Sequence, residues 1–112
     1  MTTMKSVVAV LALAVLAACQ PTLKPQQFTG KWKSSRLATP LHLRANGEWE
    51  IRGDDGQLLQ YGVWQVHDRR FVWSIRMDGS LVHDPNDIVS VSERRFELRE
   101  RDGRLTQFER ID

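Results

Sequence analysis

Cysteine is nearly absent from this sequence: its 112 residues include one, Cys19. A single cysteine excludes an internal disulfide framework and any cysteine-rich metal site, so the folded part must hold together through its apolar core. Long hydrophobic runs are scarce as well. The longest, Val7 to Ala18, has twelve residues, about 18 Å as a helix, whereas a bilayer core takes about 20 residues to cross. That makes a poor permanent membrane anchor. An excess of one charge sign is also lacking. Basic residues number 16 and acidic residues 14, and without Lys5 the balance is 15 to 14, with the signs interleaved. Such a surface is solvated on all sides and offers no basic footprint for nucleic acid. Sustained helical periodicity, a Gly-rich phosphate loop and a nucleophile-elbow serine are missing throughout.

What is present begins with a leader. Lys5 precedes the apolar run Val7 to Ala18, which ends in small residues, and this is the anatomy of a signal peptide. Removing residues 1–18 leaves 94 of the 112, the size of one compact domain. Hydrophobic content of 41% and charged content of 27% are ordinary for a globular protein. Leu16-Ala17-Ala18-Cys19 resembles the bacterial lipobox. That resemblance implies cleavage before Cys19, acylation of its sulfur and a membrane as the first partner. Two or three acyl chains, each methylene contributing roughly 0.8 kcal/mol, anchor far more firmly than one. With Gln20 in place of Asp after the cysteine, the same resemblance implies sorting to the outer membrane, facing the periplasm. An ordinary secretory leader with an Ala-x-Ala-like site is the other reading. The expected plan is a signal peptide over 1–18, a lipidated tether over 19–27 and one domain over 28–112. Pro21, Pro25 and the glutamines of the tether favour an extended spacer.

From Phe28 onward, short apolar and polar alternations are divided by turn dipeptides. Asn46-Gly47, Asp55-Gly56, Asp78-Gly79 and Asp102-Gly103 supply the positive φ that tight hairpins need, and His67-Asp68 and Ser92-Glu93 are weaker breaks. They delimit eight predicted strands, at 29–36, 40–45, 48–52, 58–66, 70–77, 87–92, 95–101 and 104–111. Eight short strands joined mainly by hairpins predict an all-β, up-and-down antiparallel barrel, because closure removes the exposed edges. Leu41/Leu43, Trp49/Ile51, Trp64/Val66, Phe71/Trp73/Ile75, Phe96/Leu98 and Phe108 form the expected inward face. The segment Asp78 to Asp87, with Leu81, Val82, His83 and Pro85, reads as an unusually long loop, serving either function or as a cap over one barrel end.

Gly30-Lys31-Trp32 at the start of the first strand resembles the Gly-x-Trp signature of lipocalins and the wider calycin barrels, and Arg110 stands where that family packs an arginine across the tryptophan. The resemblance implies a structural clasp of Gly30, Trp32 and Arg110. A guanidinium over an indole gains roughly 0.5 to 2 kcal/mol. The chain is shorter than a typical lipocalin and lacks its helix and disulfide, so inward aromatics filling the interior are the alternative to a roomy calyx.

For catalysis the sequence offers His42, His67 and His83 beside Asp68, Asp84 and Asp87, in no metal-ligand spacing, and no enzyme activity, metal or cofactor is expected. Arg69-Arg70 and Arg94-Arg95 flank turns, where arginines are solvated or meet anionic groups. Two functions remain. The first is a carrier of a small apolar molecule or lipid, with Trp49, Trp64 and Trp73 lining a pocket. The second is a solid barrel whose surface binds another envelope protein as an inhibitor or assembly factor. Export removes nucleic acid as a partner.

Overall fold

The computed structural model describes residues 22–112; the leader, Cys19 and the first tether residues lie outside the described residues. Between Gly30 and Arg110 eight antiparallel strands each pair with the next, and the last pairs with the first, closing an up-and-down barrel. They are β1 (Gly30–Ser34), β2 (Leu41–Leu43), β3 (Glu48–Arg52), β4 (Leu58–His67), β5 (Arg70–Met77), β6 (Ser80–Val91), β7 (Arg95–Arg99) and β8 (Leu105–Arg110). Closure runs through Trp32↔Arg110, Lys33↔Glu109 and Ser34↔Phe108. The period-2 pattern places Leu41, Leu43, Trp49, Ile51, Trp64, Phe71, Phe96, Leu98 and Phe108 in the core, with Val66, Trp73 and Ile75 packed against it. The turn glycines Gly47, Gly56, Gly79 and Gly103 all have φ between +79° and +90°.

The expected long loop at Asp78 to Asp87 does not exist. Asp78 (φ 50°) and Gly79 (φ 79°) make a two-residue hairpin turn, and β6 runs from Ser80 without interruption. Proline has no amide hydrogen for a ladder and is uncommon inside a paired strand. It is tolerated because β6 pairs with β7 only from Asp87 onward, so Pro85 lies on a stretch with one free edge.

The tether is also more ordered than its composition implied over the part described. Pro25–Gln27 forms one 3-10 turn, closed by a hydrogen bond from the Phe28 amide to the Pro25 carbonyl (2.9 Å) and by the Lys24 amide donating to Gln27 Oε1 (2.7 Å). Leu23 packs partly against the core, and Phe28 is wholly buried in it. The driving force is burial of Phe28, which settles edge-on against Phe71 and Phe96 with ring centroids at 5.5 and 5.1 Å.

The two barrel ends differ. Phe28, the chain terminus and the turns 44–47, 68–69 and 92–94 gather at one end, where Trp32, Trp64, Phe71 and Phe96 fill the interior. At the other end the walls separate. β4 meets β5 only from Val63↔Ser74 to His67↔Arg70, leaving the distal β5–β6 hairpin as a two-stranded ribbon beyond the barrel. Met77, Leu81 and Val82 are exposed on it.

Candidate functional site

The filled end is a clasp. The Arg110 guanidinium lies 4.2 Å from the Trp32 ring centroid, donates through Nε to the Glu93 carbonyl (2.8 Å) and through Nη1 to the Thr29 carbonyl (2.8 Å). Trp32 Nε1 donates to the Phe28 carbonyl at 2.9 Å. Gly30 (φ +130°) leaves room for it, since a Cβ there would stand 2.4 Å from Arg110 Nη1. These contacts tie the first strand, the last strand and the 92–94 turn together. Gly30, Trp32 and Arg110 are thus in direct contact at this end, with the guanidinium fork of Arg110 reaching carbonyls on both sides.

The open end holds a cavity of about 260 Å³. Leu41, Trp49, Ile51, Trp73, Ile75 and Phe108 supply its apolar lining. Two of the three tryptophans expected in a pocket are therefore in its wall. Trp64 is not, because its ring stacks on Phe71 at the filled end (5.5 Å, 8°) and its Nε1 donates to the Glu48 (3.0 Å) and Arg44 (3.2 Å) carbonyls. Alternation put all three on the inward face, but it could not say at which height of the barrel each would lie.

Polar groups are built into the same cavity. Trp73 Nε1 donates to Asn86 Oδ1 (3.0 Å), whose amide nitrogen faces Asp84 Oδ1 at 3.4 Å. Across the opening, Thr106 Oγ1 donates to Glu100 Oε2 (2.7 Å) and Arg36 binds the same carboxylate. Burial pushes the Glu100 carboxyl upward, yet hydrogen bonds from Thr106 and Arg36 outweigh it and hold the group below its ordinary range. Trp49 Nε1 is buried without a partner. It is sealed behind Gly62, where an added Cβ would stand 2.6 Å from it and 2.2 Å from the Ser74 carbonyl oxygen.

No family model, curated protein or solved structure matches this chain. Among the described residues, no three His, Cys, Asp or Glu side chains are grouped as metal ligands would be. His83 and Asp84, neighbours in the segment expected as a loop, sit in succession on β6 and face opposite ways. Asp84 borders the cavity, whereas His83 Nδ1 meets Ser74 Oγ at 2.6 Å. His67 and Asp68 are exposed at a turn, and His42 lies 3.6 Å from Glu50 on the outer wall. Arg69-Arg70 and Arg94-Arg95 do share the filled end, but Arg69 and Arg94 donate to the Ile88 and Arg110 carbonyls, and Arg70 and Arg95 pair with Asp87 and Glu109.

Sequence reasoning missed Ser34, Asn86, Thr106, Glu100 and Arg36 as cavity residues. One signal was available. Ile88 is inward, and stepping back along β6 by twos reaches Asn86 and Asp84, so extending the strand would have placed both in the wall.

Proposed function

We propose that this protein is a lipid-anchored lipoprotein of the bacterial cell envelope, outer membrane facing the periplasm, whose lipocalin-like barrel binds a small apolar or amphiphilic molecule at its open end. It acts by binding and not by catalysis. The observation that carries the reading is the cavity of about 260 Å³ walled by Trp49, Trp73 and Phe108, just under the usual size of small-molecule pockets. The eight-stranded meander, Gly30-Lys31-Trp32 and the Arg110–Trp32 contact support the lipocalin likeness. Phe28 joins the barrel at the filled end, opposite the cavity.

Native mass spectrometry of the chain purified from a bacterial host tests the binding claim. A co-purifying apolar molecule, displaced in an Ile75→Trp variant that fills the cavity, supports it. A clean apo mass that takes up nothing from a lipid panel turns the reading to the second one, an interaction module, which the exposed Met77, Leu81 and Val82 ribbon favours. For the anchor, Cys19→Ser removes acyl labelling and processing; retained cleavage and membrane binding would refute the lipobox.

A further inference from the structure

Three ionisable side chains border the cavity: Arg36, Asp84 and Glu100. Arg36 and Glu100 cancel each other, because the guanidinium Nη1 contacts both carboxylate oxygens. Asp84 has no counter-charge. Among the described residues it forms no ion pair, and its hydrogen bond from Asn86 is 3.4 Å long, at the weak limit. The cavity therefore carries one uncompensated negative charge in a half-buried wall.

The carboxylate is set beside aromatic rings. Trp73 is the direct cross-strand partner of Asp84. Trp49 stands at 89° to Trp73 with centroids 6.0 Å apart, and Phe108 lies 6.1 Å from Trp73. Aromatic faces carry negative quadrupole potential, and a desolvated ammonium among them is attracted to both the rings and a carboxylate.

We propose that the occupant of this cavity is an amphiphilic organic cation: an ammonium group on a short apolar body, with Asp84 as counter-ion and Trp49 and Trp73 as walls. The inference rests on the open end being a ligand site. A fatty-acid carboxylate brings a second negative charge to Asp84 while Arg36 is already engaged. A purely apolar ligand strips water from Asp84 and gives nothing back. Only a cation answers the charge and the lining together.

Calorimetric titration of the purified full chain with octyltrimethylammonium, octanol and octanoate, which share one tail, isolates the head group. The cation is expected to bind about tenfold more tightly than octanol, with octanoate weakest. Asp84→Asn removes the tenfold preference, weakening the cation and, with no carboxylate left to desolvate, strengthening octanol. Octanoate binding as well as the cation, or a preference that survives Asp84→Asn, overturns the assignment and leaves the ligand site standing. No uptake of any of the three overturns both.

Discussion

The two ends of this barrel are built from the same alternating pattern and come to opposite results. At the filled end the inward positions are occupied by large rings that meet one another: Phe96 touches Phe28, Trp32, Phe71 and Phe108 with centroids 4.4 to 5.9 Å apart. At the open end the inward positions alternate between apolar residues and Ser34, Asp84, Asn86 and Thr106, the strands part, and space remains. An eight-stranded barrel is just wide enough for side chains to fill it or to hold one small ligand. Ring size and strand pairing decide which happens at each height. Stability is concentrated at one end and room for a ligand at the other, so substitutions at the two ends should have separable effects.

The largest effect expected from breaking this division is at its centre of packing. Phe96→Ala should cost about 3–5 kcal/mol in urea denaturation, whereas Trp73→Ala, on the cavity and half-buried, should cost about 1–2 kcal/mol because its burial is incomplete. Equal losses would mean that the open end is packed as tightly as the other. Gly62→Ala comes next. It lies where β4 and β5 part, and its Cβ would meet the Ser74 carbonyl and the Trp49 indole; the expected loss is about 1–3 kcal/mol, with the cavity reshaped and ligand uptake reduced. Arg110→Lys keeps the charge but loses the fork that reaches the Thr29 and Glu93 carbonyls. It should lower stability by about 1–2 kcal/mol without altering ligand affinity. A change in affinity would show that the two ends communicate.

The smallest effect concerns the outer wall that spans both ends. Glu50 accepts from Arg44 (2.8 Å) and Arg52 (3.2 Å), and these hydrogen bonds, the Arg44 one first, lower its pKa to about 2. A carboxyl held below its unfolded value contributes stability that is complete above about pH 4.5 and lost as pH falls toward about 2. The guanidinium side chains are 44% and 48% exposed, so solvent screens the pairs and the loss is about 1 kcal/mol or less. Glu50→Gln should flatten that part of the stability–pH profile, measured by urea denaturation between pH 5 and 2, relative to the native chain.

Much of the architecture was legible because it depends on local rules. Turn dipeptides such as Asp78-Gly79 mark where the chain reverses, and apolar residues at every second position mark the face that must leave water. The extent of β6 was not legible. A proline and a run of polar residues look like a loop until the neighbouring strand is known to stop short at Arg99. In the sequence Phe28 stands only as the first residue of the domain. That it plugs one barrel end depends on Phe71 and Phe96, distant in sequence, leaving a slot of its size.

The sequence by itself determined the class of fold, the number of strands and the inward face, because these follow from backbone periodicity and turn chemistry, while the pairing of Trp32 with Arg110 entered only as what the resemblance to lipocalins implies. Tertiary structure alone decided the height at which each inward side chain lies, since that depends on register, on the irregularities at Ile51/Arg52 and Ile88/Ser90, and on where neighbouring strands stop pairing. Those quantities separate Trp64 at the filled end from Trp49 and Trp73 in the cavity wall, and they bring the uncompensated Asp84 to the same wall.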